Sequence, residues 1–421
     1  MNKKNLTLLF AFAWLLNGCE TELNTSIQTS PNNGSLIVDP QAVLIGTPTP
    51  APSPTSSLKT QAIAAGDEHA CAILVGGGVK CWGNGFNGEL GNGKTGTGMT
   101  HTSHPVDVVG LAAGLKAIVA GKDHTCVLTS QDGVKCWGVN SDGQLGNGTL
   151  TNSTVPVDVL GLTSGVAAIS ARYLNTCALT QLGAVKCWGS NSFGQIGDGT
   201  TTKRNQPTDV IGLPPTIKVV SVGGLSACAL TAANGVLCWG NSDTIGNEQT
   251  TGFSTRPLDV IGLSSGVAVL TGGDLVFYAV MNDGGVQGWG ADGNGQLGDG
   301  LAGPKHRLPI YLPALGAGSN TIGMSVHGSG THACAIRTGT PIKCWGKNDY
   351  HQATADGESS LFQPPTDVVN LTDEVTTLVT GLSFTCGLTK ENTVKCWGKN
   401  DVGQLGDGTL VNRASPGEVI F

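Results

Sequence analysis

Twelve of the 13 cysteines in this 421-residue sequence fall into six pairs with one spacing, i and i+10: Cys71 with Cys81, Cys126 with Cys136, Cys177 with Cys187, Cys228 with Cys238, Cys334 with Cys344, and Cys386 with Cys396. Thiols so spaced can bond to each other or offer thiolates to a metal. His69, His124 and His332 help the metal reading, because each stands two residues before a cysteine and two thiolates with an imidazole make a zinc set. Against it, the other complete pairs have Asn175, Ser226 and Phe384 at that place, and no Cys-x-x-Cys occurs. In one further copy both cysteines are replaced together, by Tyr278 and Gly288. Joint loss is what bonded pairs predict, since a lone survivor would be a free thiol. We therefore expect six disulfides, each closing a loop of about eleven residues and worth about 2.5–3 kcal/mol in the chain-entropy model. The histidines are expected to bond between repeats, Tyr278 to fill the space of the missing disulfide, and no metal or cofactor is called for.

Other chemistry-like patterns dissolve on inspection. Residues 83–88 and 293–298 both satisfy G-x-G-x-x-G, yet neither opens a helix in a β-α-β unit, so the anion-binding geometry is missing. GLSSG at 262–266 imitates a hydrolase nucleophile elbow, but its counterparts GLAAG and GLTSG make Ser264 a connector residue. Asp292, Asn294 and Asp299 place oxygen ligands suited to calcium, and equally build Asx-turns without any ion. No carboxylate pair or Ser/His/Asp set recurs in a way that points to catalysis, so the expectation is a non-enzyme.

What positions these residues is a repeat. Aligned on Trp82, Trp137, Trp188, Trp239, Trp289, Trp345 and Trp397, the chain shows seven copies of about 50 residues over 61–421, a period that signals a propeller or solenoid. Within a copy, TCVLT and GVKCW are strand-like runs joined by an Asp-Gly hairpin. With Cys126 opposite Cys136, both faces of that hairpin are largely apolar, so the sheet needs cover on both sides, as stacked blades provide. A Gly-rich excursion (GVNSDGQLGNGT) and a Pro-led segment (PVDVLG) complete about four strands per copy. The fold class expected is all-β, a seven-bladed β-propeller. The segments CWGVNSDGQLGNGT, CWGSNSFGQIGDGT, GWGADGNGQLGDG and CWGKNDVGQLGDGT, each with its preceding strand, resemble the regulator of chromosome condensation (RCC1) repeat family. That resemblance spans 61–421 and implies the same seven-bladed architecture. It leaves function to be argued from a site, because the family hosts unrelated binding tasks.

The N-terminus addresses the compartment. MNKKN is basic, LTLLFAFAWLL is an apolar run of eleven, too short to span a bilayer as a helix, and Leu16-Asn17-Gly18-Cys19 looks like a bacterial lipobox. The reading is a lipoprotein signal peptide over 1–18 and a lipidated Cys19, with an ordinary secretory signal as the alternative. Residues 19–60, with TPTPAPSPTSS, read as a Pro/Thr/Ser-rich tether. Residues 36–46 are more apolar and resemble the Pro-led segment of the copies, so an added rim strand there stays open. Export would place the cysteines where disulfides persist, in the bacterial cell envelope.

Without Lys3 and Lys4, about 21 basic residues face 30 acidic ones, and no basic stripe appears, which disfavours nucleic acid as a partner. Function is expected where copies depart from the pattern, on loops held by a rigid frame. Copy four shortens its tail, copy five carries KHRLPIYLP, and copy six replaces Gly-Gln-Leu-Gly by a stretch containing DYHQATADGESS. Phe253, His306, Arg307, Tyr311, Tyr350, His351 and Phe362 are the candidate contact residues for another protein or a cell-wall glycan, Tyr and Arg being favoured anchors. The alternatives are an envelope polysaccharide lyase or hydrolase with a site at the propeller mouth, and a purely structural envelope protein. The chain is expected to be a monomer, held at the membrane through its lipid.

Overall fold

The computed structural model describes residues 58–94, 101–248, 250–327, 332–339, 341–353 and 362–421. The expected signal peptide, Cys19, nearly all of the tether and the 36–46 segment lie outside them. The described residues form a seven-bladed β-propeller of seven four-stranded antiparallel sheets, each built from consecutive strands of one copy. In blade 1 these are Thr60–Ala65, His69–Leu74, Val79–Asn84 and His101–Asp107. The first strands of neighbouring blades pack on one another around the ring, which makes them the inner, axis-facing strands. The second and third strands are buried on both faces, as their apolar pattern requires. The only helical turn among the described residues is Pro313–Leu315, and none of them forms a helix long and apolar enough to cross a membrane.

All six expected cysteine pairs are disulfides, each joining residues directly opposite on the second and third strands. Their Cα atoms are 4.0 or 4.1 Å apart, close to the short spacing of a non-hydrogen-bonded antiparallel pair. Such bonds fit an oxidising compartment. In blade 5, Tyr278 lies opposite Gly288 and is fully buried. Its hydroxyl donates to the Gln296 carbonyl and its ring meets Trp345 edge-on, with centroids 6.0 Å apart. Tyr278 thus fills the disulfide's place. Burial also pushes its phenol far above the usual range, so it stays a donor.

Blade joins blade through the tryptophans. All seven are fully buried, and each indole N–H donates to a carbonyl in the preceding blade's long loop, for example Trp188 to Gln144 at 2.8 Å and Trp239 to Gln195 at 2.8 Å. Trp82 makes the same bond to Gln404 at 3.0 Å, so blade 7 meets blade 1 through the same tryptophan bond, and among the described residues no strand is exchanged to seal the ring. The last glycine of Gly-Gln-Leu-Gly permits this approach. A Cβ at Gly146 would lie 2.7 Å from the Trp188 ring nitrogen, and its φ of 66° is in any case left-handed.

Copy six does not lose this device. Gln352 O accepts from Trp397 at 3.1 Å, and Gln352 Oε1 accepts from the Tyr350 amide at 2.9 Å, as Gln144 Oε1 does from Asp142. Tyr-His-Gln-Ala therefore replaces x-Gly-Gln-Leu, with His351 at φ 62° where other copies use glycine. Residue identity changed while backbone geometry did not, so glycine spacing does not disclose the equivalence.

Candidate functional site at the axial mouth

The turn after each inner strand crowds the axis. A Cβ at Gly66 would stand 2.7 Å from the Gly121 carbonyl oxygen, and glycine also occupies the matching positions 121, 223, 273 and 381. The next residues are linked around the mouth by backbone bonds: Leu382 N to Asp67 O at 2.9 Å, Asp67 N to Lys122 O at 3.0 Å, Lys122 N to Tyr173 O at 2.9 Å and Gly224 N to Asp274 O at 3.1 Å. Two blades break the glycine rule, blade 3 with Arg172 and blade 6 with His327.

Both side chains are buried. Arg172 reaches from blade 3 to blade 6, its Nη2 donating to Val326 O at 2.7 Å, and His327 Nε2 lies 3.2 Å from Asp67 Oδ1 of blade 1. Asp274, also buried, has its carboxyl pushed up to about 7 by burial, against the pull of the Arg172 guanidinium. Asp123 likewise rises to about 7, through burial first and then the charges of Asp67 and Glu89. Burial pushes His327 down, partly offset by Asp67. Acids and bases therefore do converge on one rim, contrary to what spacing within a copy implied. They come from five blades, and only an alignment at the inner-strand turn would have shown Arg and His replacing glycine. Arg172 and His327 are spent on a backbone carbonyl and on Asp67, an arrangement suited to bracing the axis and presenting charge.

His69, His124 and His332 form junctions between blades. Their Nε2 atoms lie 2.8, 2.9 and 2.9 Å from the hydroxyls of Thr125, Thr176 and Thr385 in the following blade. Thr176 and Thr385 in turn donate to Gln144 O and Gln352 O, so the imidazole is the donor at those two junctions. Each histidine occurs where the next blade has that threonine, and the other four junctions lack both. Burial holds the rings neutral, with His69 down to about 4 and His124 and His332 to about 3.

The repeat and the fold are similar to those of known proteins. Models described as regulator of chromosome condensation (RCC1) repeat match residues 61–89, 115–144, 166–195 and 375–404, and also 77–128, 133–179 and 183–230. The chain belongs to the RCC1 repeat family. It is 27% identical over 365 residues to the ultraviolet-B receptor UVR8 of Arabidopsis thaliana, covering 85% of this chain and 81% of that one. It is also 31% identical over 191 residues to the E3 ubiquitin-protein ligase HERC2 of Homo sapiens, 44% of this chain and 4% of that protein. Among solved structures, Prp20p from Saccharomyces cerevisiae, described with its binding to Gsp1p and histones, superposes with TM-score 0.68 at 18% identity over 92% of this chain and 90% of its own. Yeast RCC1 (Prp20) bound to Kap60 gives 0.70 at 19% over 95% and 91%. At these identities the structural likeness shows the fold.

Within this RCC1-repeat frame, the candidate contact residues separate. Phe253, His306, Arg307, Tyr350, His351 and Phe362 lie at the end carrying the long loops and the axial mouth, whereas Tyr311 lies at the far end of its strand. There Tyr311 faces Gln287, the place where blades 1, 2, 3 and 6 pair Lys with Asp, as in Lys135–Asp158 at 2.6 Å. Arg307 donates to Ser242 O at 3.2 Å and to Thr250 O, clasping the shortened loop of blade 4. Lys399 sits over the Tyr350 ring, 5.8 Å from its centroid. Phe253 and Phe362 remain exposed. Exposed Leu150, Leu301, Leu410 and Val411 stand on the long loops of the same end, apolar positions that no motif singled out.

Proposed function

We propose that this chain is an exported, lipid-anchored binding module whose long-loop face engages another protein. The observation that carries the reading is the composition of that face: exposed Phe253, Leu301 and Phe362 on its outer loops, with Asp67, Lys122 and Asp123 at the mouth of the same end. Apolar anchors on one face with ionisable groups of both signs suit a protein surface, where aromatic contacts supply affinity and charge supplies specificity. Support also comes from Prp20p, described as binding Gsp1p and histones. The basic and apolar start of the sequence with Leu16-Asn17-Gly18-Cys19, and six disulfides, support export, acylation of Cys19 and display in a bacterial envelope on the 19–60 tether.

The test is photo-crosslinking of the full-length protein in its native envelope from positions 301 and 362, with Leu182 and Ile322 near the opposite end as controls. Discrete protein adducts at the first pair, absent from the second, are expected. Adducts of equal yield at both ends, or none, would remove this face. Because Asp123 and Asp274 titrate near neutrality, a glycan-acting enzyme is the second reading; sugar fragments released from envelope polysaccharide and lost in Asp274→Asn would favour it. Retention in the membrane should be lost in Cys19→Ala.

A further inference from the structure

In blades 2, 3 and 7 an asparagine three residues after the tryptophan holds the long loop from inside. Its Oδ1 accepts a backbone amide, from Leu145, Ile196 or Leu405, and its Nδ2 donates into a cage of oxygens. For Asn191 the cage is Asp198 Oδ1 at 3.4 Å, Thr200 O at 3.1 Å and Thr202 O at 3.0 Å; for Asn400 it is Asp407 Oδ1, Thr409 O and Val411 O, each at 3.1 Å. The caged aspartates are balanced by arginine, Arg204 Nε at 2.7 Å from Asp198 and Arg413 Nη1 at 3.3 Å from Asp407.

Blade 5 changes two of these three residues together. The amide becomes Asp292 and the arginine becomes His306, while Asp299 keeps its place. Asp292 Oδ1 still accepts from Leu297 N at 2.9 Å. Its Oδ2 now stands where an N–H donor stands elsewhere, in a fully buried residue and without a hydrogen-bond partner. A buried acceptor facing acceptors is costly unless a proton or cation lies between them. Ligand atoms of Asp292, Asp299 and His306 lie within 4.8 Å of one another, with His306 Nε2 3.7 Å from Asp299 Oδ2. The charge count agrees: asparagine, aspartate and arginine sum to zero, whereas two aspartates with a histidine leave the set net acidic.

We propose that blade 5 holds a divalent metal ion between Asp292, Asp299 and His306, with zinc the ion its two carboxylates and imidazole favour. Two carboxylates alone would suit calcium or magnesium, but an imidazole in the set selects a metal that accepts nitrogen. The ion supplies what the amide and guanidinium supply in blades 3 and 7, so the site locks a loop in the one blade lacking a disulfide. The competing occupant is a proton on Asp292, whose carboxyl is raised to about 6 by burial and by Asp299.

The experiment uses full-length oxidised protein stripped with EDTA, then titrated separately with zinc, manganese and calcium chloride at pH 7.5, reading calorimetric stoichiometry and thermal midpoint. About one equivalent of zinc is expected, with a raised midpoint. Asp292→Asn reinstates the residue of blades 2, 3 and 7, so it should fold, match or exceed wild-type stability in EDTA, and lose at least about tenfold in zinc affinity. Asp292→Asn combined with His306→Arg rebuilds the blade 3 triad and should abolish binding. No saturable uptake of any of the three ions, unchanged affinity in Asp292→Asn, or calcium binding indifferent to His306→Ala would each overturn the proposal.

Discussion

Blade 3 ties its central strands with Cys177–Cys187, steadies its long loop with the Asn191 amide and balances Asp198 with Arg204. Blade 5 sets Tyr278 against Gly288, Asp292 at the amide's place and His306 at the arginine's. Yet both have four strands in the same order and the same third-strand register shift, and both send an indole N–H to the preceding blade, from Trp188 and Trp289 at 2.8 and 2.9 Å. Shape and the Trp-to-carbonyl junction are therefore what the ring requires. Covalent link, amide and ion pair are interchangeable means of tying one blade internally. The substitutions are also coupled. The Gln296 carbonyl that accepts from Tyr278 also accepts from Trp345, just as Gln144 O accepts from Thr176 and Trp188. Blade 6 has Ala333 where blade 3 has Thr176, and Tyr278 supplies the hydroxyl from the other side.

The largest effect expected is from the shared element. Trp188→Ala and Trp289→Ala each remove a fully buried indole and its interblade bond, and each should cost about 3–5 kcal/mol in denaturant unfolding. A markedly smaller loss at Trp289 would break the equivalence of the two blades. Next comes the element that differs: Cys177→Ala with Cys187→Ala should cost about 2.5–3 kcal/mol. Tyr278→Cys with Gly288→Cys should form a seventh disulfide under oxidising conditions, seen as linked peptides by mass spectrometry. It should still fall short of wild type by about 1–3 kcal/mol, because Tyr278 fills volume and satisfies Gln296 O.

Smaller effects are read as pH dependence. A histidine pushed down on folding binds fewer protons folded than unfolded between its folded value and about 6.5. Stability is then full above 6.5 and falls as pH drops toward 3, so the deficit of His124→Gln should shrink between pH 7.5 and pH 5. Asp274 has the opposite sign: raised to about 7, it binds more protons folded, and its cost grows as pH rises from about 4 to 7. The midpoint of Asp274→Asn relative to wild type should therefore rise between pH 5 and pH 8. Parallel shifts in both variants would contradict the assigned burial.

The repeat, the strand count, the cysteine pairing and the role of Tyr278 were legible because they rest on local pattern: hairpin turns, alternation and fixed offsets from tryptophan. The axial mouth was not, because Arg172, His327 and Asp274 share no motif and meet only when the ring closes. Copy six misled for the converse reason. Its His351 carries a backbone conformation that sequence assigns to glycine, and Gln352 went unnoticed as the equivalent glutamine. Asp292 was visible as a ligand-type residue, but its meaning came from the asparagine cages of the other blades, which only side-chain contacts disclose.

The account rests on each blade being closed by a bond of its own, six of them covalent, in a chain that meets an oxidising compartment. Peptide mapping without reduction, on protein recovered from the envelope, tests this most directly. The expected result is six linked peptide pairs joining Cys71–Cys81, Cys126–Cys136, Cys177–Cys187, Cys228–Cys238, Cys334–Cys344 and Cys386–Cys396, with no free thiol among the twelve. Free thiols at these positions, or links running between blades, would contradict it.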